Sequence, residues 1–279
     1  KNFITGTISI ATDDKLMNIV QIAFRYVAPE YKTFTILSDI ISGKLGTVLD
    51  CGKESATKMA VVSNIAVNDW YREDGTLVSG KRNEGGFINI IKGDFTKSED
   101  ERNTFKADML ITKVTELEAN EEKGYEEKVT IDGYIFNYRN DILPVSFRVK
   151  NAAAIKYFNS LDISPKNPMF TQVWGNIESQ VVVKKTVTES AFGDDLVEER
   201  ESSYKEYVLK SKSKEDYLFN DETTITDDEL KAALSAREQM LAEVKQRNEE
   251  YKKTKNTKLS LDSTFNLDDD SSSDEEYTF

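Results

Sequence analysis

The sequence predicts a mainly β fold: an OB-like five-stranded Greek-key barrel, with a β-rich N-terminal extension or domain before it and a helix and acidic tail after it. Three observations predict it. Val129, Ile131, Gly133 and Ile135 alternate with Thr130, Asp132, Tyr134 and Phe136, and Leu143, Val145, Phe147 and Val149 keep the same period of two. Five or six strand-like runs fall between residues 104 and 210, with one helical stretch between the third and fourth. A Greek-key barrel of the OB type has that strand count and needs about 100 residues. Asp74-Gly75 lies between two apolar runs, a hairpin turn signal further upstream.

The elements follow in order. Residues 3–10 have the β-branched content of a strand. Residues 16–27 fit helical spacing through Leu16, Ile19, Val20, Ala23 and Val27, but their β-branched residues also fit a strand; residues 34–41 are equally open. Residues 59–71 and 76–81 form the arms of the Asp74-Gly75 hairpin, and Gly85-Gly86 is expected to break the chain before a short strand at 87–91. The polar stretch 97–103 reads as a linker or long loop, ending an N-terminal region 1–98. The barrel region, 104–210, begins with a long strand at 104–118. It continues with strands at 128–137 and 143–149 around a turn at 138–141, then a helix at 152–161. Strands at 170–174 and 177–187 flank Gly175, and 204–209 is the last. Residues 211–225 are polar and read as extended.

Thr226 and Glu229 have capping-box spacing and open a helix over 226–253. Its apolar stripe, Leu230, Leu234, Leu241, Val244 and Tyr251, is too thin for a coiled coil and suits packing on the body or a partner. Residues 256–279 are Ser- and Asp-rich and are expected to be disordered.

Composition narrows the chemistry. The 279 residues contain no histidine, which excludes His-based acid–base catalysis, Ser-His and Cys-His nucleophiles, and His-ligated metal sites. A single cysteine, Cys51, supports neither an internal disulfide nor a Cys-rich zinc cluster. Walker-type and GxGxxG loops are absent from the sequence, and acid pairs such as Asp13-Asp14 and Asp194-Asp195 fall in loop-like stretches. The expectation is a protein that is not an enzyme and takes no cofactor or metal. No apolar run approaches the roughly 20 residues of a membrane span, and the first residues lack a secretory apolar core. The expected location is the cytoplasm, that of a host if the protein is viral.

Net charge is −13, and residues 262–279 contribute seven acids and no lysine or arginine. Residues 1–210 hold 27 basic and 32 acidic groups, so the body is only mildly acidic and leaves room for a local basic groove.

Ser271-Ser272-Ser273-Asp274-Glu275-Glu276-Tyr277-Thr278-Phe279 is an acidic run closing on an aromatic, suited to a docking peptide whose acids steer toward basic surfaces. An OB body, a linker and such a tip together resemble the single-stranded DNA-binding proteins of bacteria and bacteriophages. Ile131-Asp132-Gly133-Tyr134-Ile135-Phe136-Asn137-Tyr138-Arg139 and Val173-Trp174-Gly175-Asn176-Ile177 look like an OB barrel of a phage replication protein. The bacterial tip usually has proline before the phenylalanine; Tyr277-Thr278-Phe279 is closer to phage versions. The resemblance covers residues 104–210 and the tip, and leaves the first 100 residues and the C-terminal helix unaccounted for. It implies that the tip (Asp274, Glu275, Glu276, Tyr277, Phe279) recruits replication and recombination proteins and competes with DNA for the groove.

Single strands are held by stacking on aromatic rings along a cationic track. Tyr134, Phe136 and Tyr138 share one strand face, near Arg139, Arg148 and Lys150. The alternative makes that face the barrel core; an aliphatic core is the better assignment because a buried Tyr needs a hydroxyl partner. Trp70, Tyr71, Arg72, Lys81 and Arg82 make the Asp74-Gly75 hairpin a second candidate, against ordinary packing of Trp70 under a loop. Lys184 and Lys185 are candidate phosphate contacts, and Trp174 reads as core. The expected partners are single-stranded DNA and, through the tail, replication proteins; no membrane is involved, and a homo-oligomer is compatible with the sequence. The rival reading is an adaptor or virion component that uses the barrel as a protein-binding platform.

Overall fold

The computed structural model describes residues 2–72, 74–118, 127–137, 139–188, 192, 196–222 and 224–262; the side chains of 180–188, 196–204 and 253–262 lie outside the description. Residues 4–27 form two antiparallel strands, β1 (Ile4–Ala11) and β2 (Ile19–Val27). The strand alternative holds for β2 because Val20, Ile22 and Phe24 are buried at period two. The undecided stretch after it is a helix, α1 (Lys32–Ile41), whose Thr33, Ile36 and Leu37 recur at helical spacing and turn to the core. A short kinked helix, α2 (Val48–Ser55), follows, so the N-terminal region is not purely β.

The hairpin arms are β3 (Met59–Tyr71) and β4 (Leu77–Ile90), giving a sheet in the order β1-β2-β4-β3. Gly85-Gly86 does not end the second arm as expected. Both glycines have positive φ, and they sit at a bulge where the register shifts between Val62 and Asn64, so one strand bends instead of two forming. The expected linker at 97–103 contains a helical turn, α3 (Glu99–Arg102), with Ser98 and Glu101 as its capping box.

The second unit is a closed barrel of β5 (Thr104–Leu117), β6 (Lys128–Phe136), β7 (Ile142–Val149), β8 (Met169–Thr188) and β9 (Leu196–Lys212). Its strand order, β5-β6-β7-β9-β8, closes through the β5–β8 pairing, and a helix, α4 (Ala152–Asn159), lies between the third and fourth strands. This is the five-stranded OB Greek key. Among the described residues of the barrel, β7 and β9 alone pair in parallel, through Arg148↔Val208 and Val149↔Leu209. The inside is aliphatic and aromatic: Met109, Ile111, Ile131, Phe147 and Val173 are fully buried, each contributing about 1.5–3 kcal/mol.

One strand replaces a pair expected from the sequence, and the last strand is longer than expected. β8 runs unbroken through Gly175, which sits at a register shift; a Cβ there would stand 1.9 Å from the Val208 carbonyl oxygen. β9 begins well before residue 204, so β8 and β9 form a ladder reaching to Thr188↔Leu196. A last helix, α5 (Asp227–Asp262), opens with the Thr226/Glu229 capping box and extends past residue 256, where the tail was expected to start. Residues 263–279, including the docking tip, lie outside the described residues.

The two units meet where the barrel is least paired. Asn83 of β4 accepts from the Tyr207 hydroxyl at 3.0 Å, and Asn18 bridges to Ile177 and Ser179 of β8. Lys81 donates to the Ser146 carbonyl of β7. Among the described residues no helix is long and apolar enough to cross a membrane.

Candidate nucleic-acid interface

Period-two alternation on β6 puts Val129, Ile131 and Ile135 inside the barrel and Lys128, Thr130, Asp132, Tyr134 and Phe136 outside. On β7 the same rule puts Ser146 and Arg148 outside. The neighbouring register pair Glu178↔Glu206 completes a band across β6, β7, β9 and β8. Glu206 accepts from Lys128 at 2.8 Å and from Arg148 at 2.6 Å, and Glu178 from Lys150 at 2.6 Å, with Lys210 at 3.6 Å. Lys128 and Arg148 thus share Glu206, and Lys150 and Lys210 share Glu178, with Asp132 on the same outer face of β6. Burial pushes the Glu206 carboxyl upward, but the hydrogen bonds from Lys128 and Arg148 outweigh it and hold it below the ordinary value.

Lys81 sits beside this band, its ammonium 5.2 Å from the Tyr207 ring centre and 5.7 Å from that of Phe147. Burial, with Lys128 as a second cause, lowers its pKa to about 8 against the opposing pull of Asp132 and Glu206. Burial also raises the Tyr207 phenol, opposed by the bond to Asn83.

The rings expected to stack bases are placed differently. Tyr134 and Phe136 do face outward, but they lie under Ile225, Leu230 and Leu234 of the C-terminal segment, beside Leu110 and Phe170. Their face is a satellite core and is not open to a ligand. Tyr138 lies outside the described residues, and Arg139 is exposed on the turn. Trp174, expected in the core, is outside the barrel and 38% exposed, because Val173, Gly175 and Ile177 take the interior positions at period two and leave residue 174 on the outer face.

The β3–β4 hairpin splits its candidates between two faces. Lys81 and Tyr71 turn inward: the Tyr71 hydroxyl meets the Leu241 carbonyl at 3.5 Å, and the Tyr71 carbonyl accepts from Asn248 at 3.3 Å. Asp69, on the same side, pairs with Arg237 of α5 at 2.8 Å. Trp70 and Arg82 turn outward, and Arg72 is exposed beside the turn. Lys184 and Lys185 occupy the β8–β9 ladder opposite Arg200 and Glu199.

Sequence reasoning missed Glu178, Glu206, Lys128 and Lys210. The alternation of Glu206, Val208 and Lys210 is the available signal, but a strand over 204–209 stops short of Lys210, and a pattern of cations alone does not show their acidic partners.

The closed five-stranded barrel defines an OB-like fold with an added N-terminal sheet and a C-terminal helix. A family model, YorF, matches residues 46–247, and the chain belongs to the YorF family. No curated protein matches it. No solved structure matches it.

Proposed function

We propose that the protein binds single-stranded DNA without strong sequence preference and serves DNA replication or recombination, recruiting partners through its acidic tail. The carrying observation is the band Lys128–Arg148–Lys150–Lys210 on the strand 2–3 side of an OB barrel, the side such barrels use for oligonucleotides. Phosphates would displace the Glu178 and Glu206 carboxylates from these cations. The test is fluorescence anisotropy of labelled oligo-dT with the full-length chain at two salt concentrations. Binding that weakens steeply with salt, and further in Lys150→Gln/Lys210→Gln, is the expected result. No binding at low salt overturns it.

One observation favours a second reading, a protein-binding adaptor. Tyr134 and Phe136, the barrel rings suited to stacking, are covered by the chain's own C-terminal segment. That reading predicts no response to oligo-dT.

A further inference from the structure

We infer that the outer face of the N-terminal sheet is a second platform for single-stranded polynucleotide, with bases on Trp70 and Phe87 and phosphate on Arg25 and Arg82. The inference rests on the reading of the protein as a single-stranded DNA binder and adds a surface outside the barrel.

The register defines the face. Asn64↔Glu84, Ala66↔Arg82 and Asn68↔Gly80 form rows across β3 and β4, Ala23↔Glu84 continues the first row onto β2, and Val62↔Phe87 lies beyond the bulge. The intervening positions, Ile65, Val67, Lys81 and Asn83, belong to the opposite face, where Lys81 and Asn83 hold the barrel.

Trp70 lies over Gly80: a Cβ at residue 80 would be 3.0 Å from the indole. Bare backbone therefore supports one face of the ring while the side chain stays 42% exposed, which is how a stacking surface is held flat. Phe87 is 73% exposed and Val62, its cross-strand partner, 66%. Measured along β3, from Asn68 opposite Gly80 to Val62 opposite Phe87, the rings are six residues apart, about 20 Å at 3.3 Å per residue, room for several nucleotides.

Between the rings the face is charged. Arg82 pairs with Glu84 at 2.6 Å and donates to Asn68 at 2.9 Å, while Arg25 meets the same carboxylate at 3.4 Å. One carboxylate shared by two guanidiniums leaves a positive excess. A protein-binding surface concentrates apolar residues at its centre and loses charge there. This face has its rings at the ends and guanidiniums with Asn64 and Asn68 amides in the middle, which suits a polyanion with stackable bases.

The test uses the full-length chain with short and long oligo-dT. Phe87→Ala and Arg25→Gln, both at exposed positions, should each weaken binding of the long oligonucleotide by about 5- to 100-fold and leave the thermal midpoint unchanged. Photo-cross-linking with iodouracil DNA should place adducts on peptides containing Trp70 or Phe87. If the native chain binds and Lys150→Gln/Lys210→Gln weakens it, while both sheet variants bind normally and cross-links fall on the barrel alone, the platform is refuted and the barrel site stands. If the native chain binds no oligo-dT, both fall.

Discussion

Glu206 and Lys81 show opposite solutions to holding a charge at a crowded surface. Glu206 is almost wholly buried and satisfied by two cations, so Glu206→Gln removes a charge that both Lys128 and Arg148 need. Denaturant unfolding should show a loss of about 2–4 kcal/mol. Under the proposed function the same variant should bind oligo-dT more tightly, because the competing carboxylate is gone. Its folded pKa lies below the unfolded value of 4.5, so its contribution is complete above pH 4.5 and is lost as pH falls toward the folded pKa. Lys81 runs the other way. Its folded pKa of about 8 lies below the unfolded 10.5, so the unfolded chain holds the proton to higher pH. The cost of burying its charge is present below pH 8 and is relieved between pH 8 and 10.5, where stability should rise by up to about 3 kcal/mol relative to Lys81→Met. Parallel pH profiles for the two proteins over that range would refute the assignment.

At the scale of elements, strands were legible wherever one face is buried. β6 follows period two to the residue and β7 does so from Val145 onward, and the inside–outside assignment of Ile131 and Tyr134 comes directly from it. Glycines misled, because a bulge and a chain break have the same local signature. Gly175 is required by its close approach to Val208, a contact between strands that no local window contains. Gly175→Ala should accordingly cost about 1–3 kcal/mol or more. The covering of Tyr134 and Phe136 was illegible for a related reason. Leu230 lies nearly a hundred residues downstream, and its helical stripe says only that something is covered. Leu230→Ala should destabilise the chain by about 2–5 kcal/mol in thermal or denaturant melts. The Arg237–Asp69 pair ties the same helix to β3, so α5 fixes the N-terminal hairpin and the barrel face together.

For the whole molecule the governing quantity is where the charge of −13 lies. Seven of the acids occupy residues 262–279, while Lys150 and Lys210 on the barrel share Glu178 and Arg25 and Arg82 on the sheet share Glu84. Under the proposed function, a polyanionic segment on the same chain would compete with DNA for those cations at a high effective concentration. Ending the chain after Lys258 removes all seven carboxylates and leaves the contacts of Arg237, Leu241 and Asn248 to β3 in place. Affinity for oligo-dT should therefore increase at low salt. The gain should shrink as salt rises, since the Debye length falls to about 10 Å at 0.1 M and exposed charges stop seeing one another. The slope of log affinity against log salt reports about 0.7 per phosphate contacted, so it also counts the cations in use. A shortened chain that binds no better than the full-length protein at any salt concentration would show that the acidic segment does not compete for the nucleic-acid surface.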